Sequence, residues 1–199
     1  MLRKEKFENI SKLLGNLFSK LPFSPNQLTA SSIFLAFIYL FFIIKKELTL
    51  AILFFILSSV LDFIDGALAK FSQKASELGS YLDTVCDRYV EAIFLFGFLF
   101  LDLPKIYFDS KIWIFLALFG SLMTTFAYLK AVAGKERQTF GQGIKKSLLD
   151  RPERLITIFI SLVLGLFNIS LVIYPIIFLA VFSNITAIQR IYSIISISQ

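Results

Sequence analysis

Apolar residues run along this chain in long blocks broken by short polar joints. Six blocks stand out, near residues 27–45, 48–70, 79–102, 112–133, 153–170 and 172–193. At about 1.5 Å of rise per residue, each is long enough as a helix to cross roughly 30 Å of hydrocarbon. The pattern predicts an all-α, polytopic membrane protein: one domain over 1–199, with six transmembrane helices bundled over 27–193. The joint Phe167-Asn168-Ile169-Ser170 is short, so the last two helices should form a tight hairpin. Ahead of the first block the pattern changes. Phe7, Ile10, Leu13, Leu14, Leu17 and Phe18 recur at spacings of three and four, with lysines off that stripe. Residues 1–22 read as an amphipathic helix, either lying in the interface against anionic lipid or packed on the end of the bundle. Ser24-Pro25-Asn26-Gln27 then opens the first span with proline and polar caps. The N-terminal stretch has no apolar core or small-residue cleavage site, so no cleavable signal is expected.

Composition agrees and narrows the chemistry. Of the 199 residues 57% are hydrophobic, more than a soluble domain carries. The single cysteine, Cys86, excludes an internal disulfide and a cysteine-built metal site, and reads as a small packing residue. There is no histidine. That excludes Ser-His-Asp and Cys-His catalysis, and leaves acid–base work to a carboxylate, Lys, Tyr or water. Any metal must be held by oxygen, which favours Mg²⁺, Mn²⁺ or Ca²⁺ over zinc. Charge sets the orientation. With six spans both termini share a side, and only Lys45, Lys46, Lys105 and Lys111 of the 20 Lys and Arg fall on the other. The lysine-rich side is expected to be cytoplasmic, in a multi-pass protein of the cell membrane. No nucleic-acid partner is expected.

Four aspartates gather in the second and third blocks: Asp62, Asp65, Asp83 and Asp87. A charge inside a membrane helix costs roughly 2.5–3.5 kcal/mol on insertion scales, so four carry a penalty of about 10 kcal/mol unless a cation offsets it. At about 100° per residue, Asp62, Asp65, Gly66 and Ala69 share one face of the second span. Asp83 and Asp87, four apart, share a face of the third. The intervening loop is short, so the acidic faces should meet at the cytoplasmic end and hold one or two divalent cations. Gly66, Ala69 and Gly79 leave room for a substrate backbone or phosphates beside the acids, although helix packing is the commoner use of small residues in membranes.

The run Asp62-x2-Asp65-Gly66-x2-Ala69-Lys70-x8-Gly79-x3-Asp83-x3-Asp87 resembles the motif D-x2-D-G-x2-A-R-x8-G-x3-D-x3-D of the CDP-alcohol phosphatidyltransferase family. All spacings agree; the departure is Lys70 in place of Arg, which keeps the charge but loses the bidentate fork. The resemblance implies transfer of a phosphatidyl-type group from a CDP-linked lipid donor to an alcohol, with release of CMP. It implies that Asp62, Asp65 and Asp83 ligate Mg²⁺ or Mn²⁺, and that Asp87 is both a candidate second-metal ligand and the general base. It places Gly66, Ala69 and Gly79 around the cytidine diphosphate and Lys70 at a phosphate. Asn26 and Thr29 either reach the nucleotide or cap a helix. The family commonly pairs as dimers, so a homodimer is expected.

The acceptor must be read elsewhere. Lys130, Lys135, Arg137, Arg151 and Arg154 gather near the cytoplasmic ends of the fourth and fifth blocks, where an anionic, phosphorylated polyol would need them. The positive-inside rule alone also explains such a basic segment. Gly79 to Tyr89, including Arg88, and Arg151 to Leu155 resemble the inositol-phosphate-using branch of the family, which makes phosphatidyl- or archaetidylinositol phosphate, or di-myo-inositol phosphate phosphate. Inositol phosphate is therefore the expected acceptor. Glycerol 3-phosphate or serine as acceptor, or CDP-inositol as donor, are the alternatives. A divalent-cation transporter is a different class; against it, the acids cluster at one interface rather than across the midplane.

Overall fold

The computed structural model describes residues 25–71, 77–132 and 148–197. Among these, six α-helices follow in order: α1 Pro25–Ile44, α2 Leu48–Phe71, α3 Glu77–Gly97, α4 Ser110–Val132, α5 Arg151–Phe167 and α6 Ile173–Ile197. A 3-10 turn over Phe98–Phe100 extends α3, and another over Ile169–Val172 leads into α6. Among the described residues there is no strand beyond an isolated bridge between Ile106 and Phe108. The expected amphipathic segment 1–22 lies outside the described residues, as do Lys135 and Arg137.

Among the described residues, three stretches are long and apolar enough to cross a membrane: Gln27–Ile44, Ser110–Lys130 and Ile169–Ser193. Within α2 a shorter apolar stretch runs over Leu48–Ile64. The other two helices fall short for a visible reason. Glu77, Asp83, Asp87, Arg88 and Glu91 all lie on α3, and the 17-residue α5 begins with Arg151, Glu153 and Arg154. Length and composition thus support three of the six expected spans outright and a fourth in part.

The helices fall into two compact units that divide between Phe94 and Leu95. In the first unit, α1 and α2 form an antiparallel hairpin. Its turn ends α1 with Lys46 in a left-handed conformation (φ 61°). The Glu47 N–H donates to Phe42 O (2.9 Å) and the Lys46 N–H to Ile43 O (2.9 Å), which satisfies two carbonyls that a helix end leaves open. Glycine is the usual residue at such a cap. Along α1, Ser32, Ala36, Tyr39 and Ile43 are buried, and along α2, Ala51, Phe55, Ser58 and Asp62. Both sets step by four, three and four, the signature of one helical face. Small residues bring the helices close enough for Ser58 Oγ to donate to Ser32 O (2.7 Å). On α3, Phe94 packs edge-on to Tyr39 and against Phe55, with centroids at 5.0 and 4.4 Å, and its carbonyl accepts from the buried Tyr39 hydroxyl (2.9 Å). A buried hydroxyl needs such a partner.

In the second unit, α4 and α6 pair along Gly120. A Cβ there would lie 2.6 Å from Asn184 Nδ2 and 2.9 Å from the Asn184 backbone nitrogen. Asn184 Nδ2 donates to Leu116 O on α4 (2.9 Å) and Ala180 O on α6 (2.7 Å). The buried Thr124 Oγ1 lies within hydrogen-bond distance of Gly120 O (2.7 Å) and Ser183 O (3.1 Å). Helix α5 docks on the following turn through Ser161 Oγ, which donates to Val172 O (2.7 Å). Before α4, Asp109 caps the helix by accepting from the Lys111 N–H (3.1 Å). That bond, and then Lys105 at 3.4 Å, hold the Asp109 carboxyl below its ordinary range.

Candidate metal centre and the comparisons with known proteins

The site grows out of the packing of the first unit. Asp62 continues the buried α2 face that runs through Ala51, Phe55 and Ser58, and it is 8% exposed. The same helix face that is apolar against α1 becomes acidic at its far end. Helix α3 does likewise: Asp83, Asp87 and Glu91 recur every four residues on one face, leading to the buried Phe94. Asp83 and Asp87 are half-buried. Across the two helices, Asp62, Asp83 and Asp87 each bring one carboxylate oxygen to within 4.8 Å of the others.

That convergence is costly without a cation. At 4.8 Å, and an effective dielectric of about 20, each pair of carboxylates repels by roughly 3.5 kcal/mol. Hard cations bind oxygen at about 2.0–2.6 Å, which puts opposite ligands about 4–5 Å apart. The three oxygens therefore fit the span of one such ion, and an all-carboxylate donor set suits Mg²⁺ or Mn²⁺. Arg88 sits beside them. Arg88 Nη2 is 3.9 Å from Asp87 Oδ2, while Arg88 Nη1 is 2.7 Å from Glu91 Oε2.

The structure thus brings together three of the four aspartates singled out by sequence. Asp65, Gly66, Ala69 and Lys70 continue α2, and Asn26 is in the first turn of α1, but their side chains lie outside the described residues. Thr29 is buried on α1, where its carbonyl accepts from Ser32 Oγ (2.8 Å). Gly79 lies half-buried in the first turn of α3. Of the basic residues expected at the acceptor, Lys130 is exposed in the last turn of α4 and Arg151 is half-buried at the start of α5. Arg154 is buried, with Nη1 donating to Leu149 O (3.2 Å).

Two groups escaped the sequence reading. Glu91 is 1% exposed and pairs with Arg88; its place four residues beyond Asp87 was the available signal. Arg190 joins α6 to the start of α5 and to α4: Nη2 donates to Asp150 Oδ1 (2.9 Å), Nη1 to Thr124 O (2.7 Å), and the guanidinium lies over the Tyr128 ring at 5.5 Å. A lone arginine in an apolar helix offered no partner by spacing.

The comparisons agree with this geometry. The family model described as CDP-alcohol phosphatidyltransferase matches residues 23–192, across both units. The chain is 32% identical over 191 residues to an archaetidylinositol phosphate synthase of Pyrococcus horikoshii, covering 95% of this chain and 90% of the relative. It is 30% identical over 172 residues to a bifunctional IPC transferase and DIPP synthase of Aquifex aeolicus, covering 85% of this chain but 38% of that longer protein. Among solved structures, the phosphatidylinositol phosphate synthase of Mycobacterium tuberculosis with CDP-DAG bound matches with a TM-score of 0.74, at 21% identity over 94% of each chain. The same enzyme in complex with manganese and citrate matches with a TM-score of 0.76, at 20% identity over 94% of this chain and 89% of that one. At those identities the structures speak to the fold. The family match and the aspartates agree on one conclusion: this chain belongs to the CDP-alcohol phosphatidyltransferases, a divalent-metal-dependent family of membrane enzymes.

Proposed function

We propose that this enzyme transfers a phosphatidyl-type group from a CDP-linked lipid donor to an inositol phosphate and releases CMP. The observation that carries the reading is the meeting of Asp62 with Asp83 and Asp87 within 4.8 Å. The names of the relatives support the acceptor. Asp62, Asp65 and Asp83 would hold Mg²⁺ or Mn²⁺, with Asp87 as a further ligand. When bound, the cation neutralises the pyrophosphate and stabilises charge on the departing CMP. Asp87 takes the proton from the acceptor hydroxyl as its oxygen bonds to the lipid-bearing phosphorus and the bond from that phosphorus to the CMP oxygen breaks. Gly66, Ala69 and Gly79 admit the cytidine diphosphate, Lys70 meets a phosphate, and Asn26 and Thr29 approach the nucleotide. Arg88, Lys130, Lys135, Arg137, Arg151 and Arg154 bind the acceptor's phosphate by charge-assisted hydrogen bonds.

Six membrane crossings, with both termini and the aspartates on the lysine-rich, cytoplasmic side, complete the arrangement. A homodimer in one domain-like bundle completes the reading. The test is CMP release from a CDP-lipid over inositol 1-phosphate, glycerol 3-phosphate and serine. Release with inositol 1-phosphate well above the others is expected. Equal or greater release with glycerol 3-phosphate or serine would overturn the acceptor. Release only when CDP-inositol replaces the CDP-lipid would reassign the donor.

A further inference from the structure

Helix α3 carries a third carboxyl group on its acidic face that the transfer reaction does not itself require. Glu91 is 1% exposed, more deeply buried than any of the three described aspartates. A buried carboxylate persists only when paired, and its partner is Arg88 at 2.7 Å. Arg88 also faces Asp87, but it stands 3.9 Å off, beyond hydrogen-bond length. One guanidinium thus faces two carboxylates and is committed to the one that is not part of the metal cluster. The arrangement is geometric: Asp87 precedes Arg88 on α3 and Glu91 lies three residues beyond it, on the helix neighbour position that an ion pair favours.

We propose that Glu91 is a positioning residue that holds Arg88 off Asp87, so that Asp87 keeps its charge available to the divalent cation. This rests on the reading of Asp62, Asp83 and Asp87 as the metal site. An arginine bonded squarely to Asp87 would compete with the cation for the same oxygens. Glu91 removes that competitor by offering a closer carboxylate and by cancelling its charge locally. Arg88 meanwhile stays within one turn of the reacting centre, where the acceptor's phosphate is expected. The phosphate can then be bound by a cation that does not quench the base.

The test is direct Mn²⁺ binding to the purified full-length protein in detergent, followed by electron paramagnetic resonance, with no substrate present. Glu91→Gln keeps the shape and removes the charge. Its Mn²⁺ dissociation constant should rise about tenfold or more. The double variant Arg88→Met with Glu91→Gln removes both the competitor and its anchor, and should bind Mn²⁺ within about threefold of the wild type. Where Glu91→Gln alone does not fold, the double variant decides: a tenfold loss there means that Glu91 serves the metal by some other route, and overturns the proposal. Wild-type affinity in a folded Glu91→Gln protein overturns it equally. The metal-site reading fails separately, when the wild type and Asp62→Asn bind Mn²⁺ with equal weakness.

Discussion

The two units bury polar groups in opposite ways. In the second, three polar side chains at the α4–α6 seam reach backbone carbonyls, although the buried Ser183 hydroxyl does not. Asn184 donates to Leu116 and Ala180, Thr124 lies against Gly120 and Ser183, and Arg190 donates to Thr124. These groups are donors, and a helix surface is rich in acceptors. In the first unit the α1–α2 seam follows the same rule as far as Ser58, whose hydroxyl donates to Ser32 O. One turn further on, at Asp62, the chemistry changes. An ionised carboxylate has nothing to donate. Three of them placed within 4.8 Å make one another worse. Donors that meet carbonyls across a helix pair hold the fold, and like charges drawn together point to a cation from outside.

Substitutions in the two units should therefore have different signatures. The largest effect is expected from Asp87→Asn. Loss of the general base should lower CMP release by about 10²–10⁴-fold while sparing much of the metal and nucleotide binding. A loss of CMP binding equal to that in Asp62→Asn would make Asp87 mainly a ligand. Asp62→Asn should lower release by about 10²–10³-fold through the lost electrostatic support. In EDTA the same variant should melt higher than the wild type, because two repulsive pairs are gone; a lower melting temperature would mean that the acids do not strain the apo fold.

Arg154→Ala sits between the two signatures. It should raise the acceptor's KM about tenfold or more, as for a lost charge-assisted hydrogen bond, with little change in the donor's KM. Equal changes in both would move Arg154 out of the acceptor site. Gly120→Leu belongs wholly to the second kind: its side chain meets the Asn184 backbone, and overpacking should cost about 1–3 kcal/mol, read as a lower melting temperature. Release per folded molecule should not change. The smallest effect runs the other way. Lys46→Gly relieves a left-handed residue and should stabilise by about 1 kcal/mol, without touching turnover.

Much of this was legible in the sequence because membranes make hydrophobicity one-dimensional. The block read over 27–45 is the helix Pro25–Ile44, and that over 48–70 is Leu48–Phe71. The block over 79–102 ran too far, because Phe98–Phe100 and Leu101 are as apolar as a helix but fold as a 3-10 turn and an extended residue. Hydropathy cannot see a change of backbone. The aspartates were legible as chemistry since four-residue spacing fixes a helix face without reference to any neighbour. Glu91 sits on that same face, yet only its burial and its 2.7 Å contact with Arg88 separate it from an ordinary solvent-facing acid. Arg154 was legible as basic, but not as buried and bonded to Leu149 O, since the first turn of a helix gives no clue to which side it packs.

The most direct test of the centre is CMP release from a CDP-lipid with inositol 1-phosphate, titrated with Mg²⁺ and Mn²⁺ after metal removal, in the wild type and in Asp62→Asn, Asp83→Asn and Asp87→Asn. Release should be absent without a divalent ion and should return on titration in the wild type. Asp62→Asn and Asp83→Asn should need far more metal for any activity, and Asp87→Asn should stay low at saturation. Metal-independent release, or three variants with wild-type metal dependence, would contradict the assignment of these aspartates.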